Sequence, residues 1–99
     1  EALFREALAI QLATQPEDHP LTADTRFELG RLLFTRKQYD EAEALLVQAY
    51  TAHEKTFGVD ARQTRDDAFV LAALYEATGQ EEKAARYRSA AAATQSIEP

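Results

Sequence analysis

The stretch KQYDEAEALLVQAY, residues 37–50, places small alanines among bulky apolar side chains. Its apolar positions follow the i, i+3, i+4, i+7, i+8 spacing of a helix that buries one face. Two acids follow Tyr39, where they would complement the helix macrodipole at its N-terminus. The stretch therefore predicts an amphipathic helix with the buried positions Ala42, Leu45, Leu46, Ala49 and Tyr50.

The same pattern recurs at a spacing of 42 residues. When the chain is shifted against itself by 42 residues, 14 of the 57 aligned pairs are identical, and EAL at 1–3 falls on EAL at 43–45. An internal period of this length is typical of proteins built from stacked structural repeats.

Turn signals divide the chain into predicted helices. They lie at residues 15–20, at Lys37-Gln38, at residues 57–60 and at Gly79-Gln80. Pro20 can occupy a first helical turn, and Gly79 can end a helix in a left-handed conformation. We predict an all-α chain of five helices, over about residues 1–15, 21–36, 39–56, 62–78 and 81–95.

Small residues at equivalent positions of the two repeats predict close contacts between paired helices. Gly30 on one helix and Ala42 on the next would let two antiparallel backbones approach where larger side chains would hold them apart. The predicted packing residues are Leu29, Gly30, Leu33, Ala42, Leu46, Ala49, Leu71, Ala72, Tyr75, Ala84 and Ala91.

At these residues the chain resembles the tetratricopeptide repeat. Its 42-residue unit, and the segments EDHPLTADTRFELGRLL (17–33) and YDEAEALL (39–46), are similar to the kinesin-light-chain type of that repeat. The resemblance implies a right-handed α-solenoid of antiparallel helix pairs. Residues 1–99 would be one fragment, with 1–15 as the second helix of a preceding repeat, 21–56 as a full repeat and 62–95 as a full repeat.

Repeat 62–95 is predicted to be a C-terminal cap. Arg88 stands where the equivalent residues Phe4 and Leu46 are apolar, so nothing apolar is expected to pack beyond the last helix.

The resemblance also implies a non-catalytic module that binds a protein or peptide in a concave groove lined by the first helix of each pair. Two interpretations of its phenylalanines remain open: anchors for a partner, or side chains packed between adjacent helices. The groove candidates are Asp24, Phe27, Arg31, Phe34, Thr35, Gln38, Asp66, Phe69, Ala73 and Glu76.

Two features of related domains are missing from this groove. Kinesin-light-chain-type repeats often carry an Asn pair where this chain has Phe27-Glu28 and Phe69-Val70. The Lys and Asn residues with which some tetratricopeptide domains hold a C-terminal carboxylate are absent from the groove candidates.

Composition restricts the partners further. A net charge of −6 argues against nucleic-acid or anionic membrane surfaces, which require Lys and Arg to neutralise phosphate. The absence of cysteine removes thiolate chemistry and fits a reducing, cytoplasmic location. No signal peptide is evident, and the start EALFREAL, without Met, predicts a piece cut from a longer polypeptide.

No catalytic, cofactor or metal site is predicted. His19 is interpreted as part of a turn and His53 as a residue at a helix end, and neither has the spacing of a zinc motif. Ser89 and Ser96 lack the setting of a nucleophile. Glu43 is expected to be a solvated residue near a helix start.

Two further function classes remain open. The apolar arc of the first helix could pair with a second copy, giving a self-assembling element or homodimer; it comprises Leu3, Phe4, Leu8, Ile10 and Leu12. Alternatively, the repeats could be a regulatory appendage of a larger signalling enzyme.

Overall fold

The computed structural model describes residues 1–92, which form five α-helices joined by short loops, without strands. The helices are α1 (Ala2–Thr14), α2 (Pro20–Thr35), α3 (Tyr39–Phe57), α4 (Arg62–Ala77) and α5 (Glu81–Ala92). The predicted all-α chain is confirmed, and within the described part each predicted helix end lies within one residue of the observed one. The predicted continuation of the last helix to residue 95 lies outside the described residues.

Each helix packs against the next one in the chain, and α2 also contacts α4. Short loops at residues 36–38 and 78–80 join helices that lie side by side, so each pair is antiparallel. The described residues extend 42 × 28 × 16 Å, the dimensions of a short helical stack. Within residues 1–92, no helix combines the length and apolar character needed to cross a membrane.

Local signals in the sequence account for the helix starts. Pro20 is the first residue of α2, and His19 caps that helix because its Nδ1 accepts a hydrogen bond from the Leu21 N–H at 3.1 Å. The first turns of α3 and α5 each carry two acids, as predicted.

The two repeats end their first helix with the same turn. Lys37 after α2 and Gly79 after α4 both have left-handed backbones, with φ of 63° and 76°. The next residue donates its N–H back to the helix in both cases, from Gln38 to the Leu33 carbonyl and from Gln80 to the Tyr75 carbonyl. This is the hydrogen-bond pattern of the Schellman motif.

The predicted close contact between α2 and α3 is present at Gly30. A Cβ atom at this position would lie 2.8 Å from Leu46 Cγ and 3.4 Å from the Ala42 carbonyl oxygen. The packing residues Leu29, Gly30, Leu33, Ala42, Leu46, Ala49, Leu71, Ala72, Tyr75 and Ala84 are all buried. Ala91 is the exception, because it is only half-buried near the end of α5.

The expectation that Glu43 is solvated was wrong. Glu43 is half-buried and its Oε2 accepts a hydrogen bond from the Tyr75 hydroxyl at 2.7 Å. Tyr75 in turn stacks on Tyr87 of α5, with ring centroids 5.7 Å apart. This contact connects α3 to the α4–α5 pair.

Candidate functional site

His53 is buried between two carboxylates at the junction of the two repeats. Its Nε2 is 2.8 Å from Asp24 Oδ1 on α2, and its Nδ1 is hydrogen-bonded to Asp67 Oδ2 on α4. The ring also stacks on Phe57, with centroids 6.1 Å apart. Both ring nitrogens face carboxylate oxygens, and a neutral imidazole has only one N–H to donate. Both hydrogen bonds are therefore made when the three side chains together hold one extra proton, beyond those of a neutral imidazole and two carboxylates.

The pKa values of His53 and Asp67 are both raised. Burial raises the pKa of Asp67 to about 6, although the hydrogen bond to His53 opposes that rise. Burial lowers the pKa of His53, but its hydrogen bonds to Asp67 and Asp24 outweigh burial, so the net shift is upward. The network therefore binds its extra proton more tightly than the free side chains would.

The network forms one wall of a cavity of about 270 Å³ between α2 and α4. Acidic side chains dominate its lining, and no lysine or arginine is among the lining residues. Asp67 is fully buried, and within residues 1–92 its second carboxylate oxygen, Oδ1, finds no hydrogen-bond partner. The residues that line the cavity are Asp24, Phe27, Glu28, His53, Gln63, Asp66 and Asp67.

Three of the groove candidates, Asp24, Phe27 and Asp66, come together at this cavity. Phe69 lies one turn further along α4 from Asp66 and leaves 70% of its surface exposed. Phe27 is half-buried against the core, with the Arg31 guanidinium 5.9 Å from its ring centroid. The sequence left two interpretations of the phenylalanines open, as anchors for a partner or as side chains packed between adjacent helices. Packing between helices applies to Phe27 in part and does not apply to Phe69.

The remaining candidates lie elsewhere on the surface. Arg31 and Thr35 line a second cavity, of about 210 Å³, that also includes Phe4 of α1. Phe34 is half-buried and packs on Tyr39, with ring centroids 5.9 Å apart.

Gln38 is exposed in the loop after α2, and Ala73 is half-buried. Glu76 is exposed and accepts hydrogen bonds from Arg88 at 2.6 and 3.1 Å. Arg88 therefore contacts the preceding helix through this ion pair.

His53, Asp67 and Glu28 were not among the groove candidates predicted from the sequence. His53 lies near the end of α3, as interpreted, but its burial was not predicted: only 2% of its surface is accessible. A signal was present: the buried stripe 42, 46, 49 continues to 53 at helical spacing. The repeat-equivalent residue Gln11 also has a buried side-chain oxygen that no other described residue hydrogen-bonds.

The network is not arranged as a metal site. Both ring nitrogens of His53 are engaged by carboxylates, and no group of potential ligands in residues 1–92 has the geometry to hold a metal ion.

Comparison with known protein families agrees with the geometry. The profile described as Tetratricopeptide repeat matches residues 1–55 and again residues 29–94. No curated protein matches the chain significantly. The overlapping matches cover both helix pairs and the helix that precedes them, so the chain belongs to the tetratricopeptide repeat family.

Proposed function

We propose that this chain is a non-catalytic module that binds a protein partner on the face formed by α2 and α4. Tetratricopeptide repeats are typically interaction scaffolds without catalytic activity. The finer assignment, to the kinesin-light-chain type of repeat, is part of the proposal and is supported by the 42-residue spacing. We also propose a cytoplasmic location, on the absence of cysteine.

The observation that carries the proposal is the exposure of Phe69. A phenylalanine ring gains free energy when it leaves water, yet Phe69 is 70% exposed beside a cavity lined by Phe27. Exposed aromatic rings bordered by charged groups are typical anchors for a partner, because burial of the ring supplies affinity and the charges set orientation.

Peptide display followed by calorimetry tests this proposal. Peptides selected for binding to the wild-type chain should bind the Phe69→Ser variant at least about tenfold more weakly, as expected for loss of an aromatic anchor. The control is Val59→Ser, because Val59 is an exposed apolar residue in the α3–α4 loop. Equal affinity for the Phe69→Ser variant and the wild type, with unchanged thermal stability, would refute the proposed face.

Self-association through α1 is the second candidate function. Leu3 and Ile10 on this helix are 79% and 64% exposed, and Leu12 is exposed as well. Light scattering across a concentration series separates the two candidates. A dimer that is lost in a Leu3→Ser variant and kept in the Phe69→Ser variant would support self-association, whereas a strict monomer at high concentration would remove it.

A further inference from the structure

We propose that the cavity between α2 and α4 receives the cationic side chain, arginine or lysine, of a partner protein. This inference rests on the proposed interaction face and names the chemistry that the face recognises. A basic residue next to an apolar residue in the partner would place its charge in the cavity and its apolar neighbour on Phe69.

The first argument is the charge of the lining. Asp24, Glu28, Asp66 and Asp67 line the cavity together with a single histidine. Four carboxylates around one imidazole leave the cavity negative, and a negatively lined concave surface concentrates cations.

The neighbouring arginines leave this charge incompletely compensated. Arg31 is held at 2.5 Å by Glu28 at the edge of the cavity. Arg62 is 3.8 Å from Asp66 Oδ2, beyond hydrogen-bond distance, and its side chain is 85% exposed. Neither arginine lines the cavity. A partner's guanidinium or ammonium could therefore approach Asp24 and Asp66 from solvent.

The second, independent argument is the buried oxygen of Asp67. Asp67 lines the cavity, yet no part of the residue is accessible and its Oδ1 has no hydrogen-bond partner among the described residues. An unpaired buried carboxylate oxygen is costly, and a cation held in the cavity by Asp24 and Asp66 would offset part of this cost through its charge, with the His53 hydrogen bond unchanged.

In the part of the chain that the structure describes, the site occurs at one junction of the stack. At the equivalent positions of the 42-residue repeat, Gln11 replaces His53 and Thr25 replaces Asp67. One helix junction therefore carries the acidic network, so a single basic side chain of the partner would set its register along the face.

Nuclear magnetic resonance titrations with two matched probes test the inference. The probes are acetyl-Leu-Arg-amide and its neutral analogue, in which citrulline replaces arginine. We expect the arginine probe to shift the amide resonances of residues 24–28, 53 and 63–69, to lose affinity as salt rises, and to bind more tightly than the citrulline probe. Equal binding of the two probes, binding elsewhere or no binding at millimolar concentration would overturn the inference.

Substitution of a single carboxylate provides the matched comparison. Asp66→Asn keeps the shape of an exposed side chain, and we expect it to weaken the arginine probe about fivefold while leaving the citrulline probe unchanged. Asp24→Asn should act in the same direction and can still accept the His53 hydrogen bond. Glu82→Gln, in the first turn of α5, is the control and should change neither affinity.

The same variants distinguish this inference from the proposed function. If display-selected peptides depend on Phe69 but bind the Asp66→Asn and Asp24→Asn variants as tightly as the wild type, the face is correct and the cation site is wrong. If the arginine probe binds at the cavity but no selected peptide depends on Phe69, the cation site stands and the proposed function of Phe69 as the anchor for a protein partner fails.

Discussion

Gly30 controls how closely α2 and α3 approach each other. The space that a side chain would need is occupied by Leu46, which is fully buried, so it can move only by displacing packed neighbours. Glycine is otherwise a poor choice here, since glycine within a helix costs about 0.5–1 kcal/mol relative to alanine. Its presence is explained by the contact and not by helix propensity.

A Gly30→Ala substitution tests which of these effects is larger. We expect a net loss of about 1 kcal/mol in the free energy of unfolding, because overpacking typically costs ~1–3 kcal/mol and the gain in helix propensity offsets part of it. Urea denaturation measures the difference. The control is Ala44→Gly at an exposed position of α3, which measures the effect of helix propensity alone. A Gly30→Ala variant more stable than the wild type would contradict the close contact between α2 and α3.

The His53 network makes stability depend on pH. The pKa of His53 is raised in the folded chain, so the folded state keeps its proton at pH values where the unfolded state has lost it. The stabilisation is complete below the ordinary pKa of histidine, about 6.5, and is lost as pH rises through the higher folded value. Asp67, whose pKa is also raised, acts with the same sign at lower pH.

We therefore expect the free energy of unfolding to fall as pH rises above about 6.5. A His53→Gln variant should lose this slope, and at pH 6 it should be destabilised by roughly 1–3 kcal/mol because Asp67 loses its charged partner. His19→Asn, which retains a capping side chain at the start of α2, should keep the slope. A flat profile in the wild-type chain would contradict the assignment of protons to this network.

At the scale of elements, the two turns that end α2 and α4 show the same geometry built from different residues. Gly79 adopts the left-handed conformation at little cost, whereas Lys37 at the equivalent position has a side chain that disfavours it. Both turns make the same hydrogen bonds, so the turn keeps its geometry at Lys37 in spite of the side chain.

Lys37→Gly should therefore stabilise the chain by about 1 kcal/mol, the cost usually assigned to a left-handed L-residue. Thermal unfolding of the variant measures the gain. The reciprocal change, Gly79→Ala, should destabilise by a similar amount. If Lys37→Gly lowers the melting temperature instead, the backbone at this turn is not strained as described.

Most of the elements could be predicted because their signals are local. Pro20 and Gly79 mark helix boundaries through their own backbone preferences, and the stripe from Ala42 to Ala49 shows which face is buried. The candidate site could be predicted only in part. Asp24 and Asp67 lie 29 and 14 residues from His53, so their convergence depends on how three helices pack.

At the scale of the molecule, the helices form a stack in which neighbouring repeats share their interfaces. α2 and α4 contact each other in this arrangement, the acidic cavity lies between them, and Phe69 is exposed one turn beyond Asp66 on α4. The exposed apolar residues of α1 form a separate surface at one end. Because the α1 surface is separate from the surface that carries Phe69 and the cavity, an experiment can show which of the two a partner binds.

Paramagnetic relaxation enhancement with a spin-labelled, display-selected peptide locates the bound partner most directly. A partner on the proposed face should broaden the amide resonances of residues 24–28 and 63–69 most strongly, and an Asp66→Asn or Phe69→Ser substitution should reduce that broadening. Broadening centred on α1, or on the surfaces of α3 and α5, would contradict the proposal that α2 and α4 form the binding face.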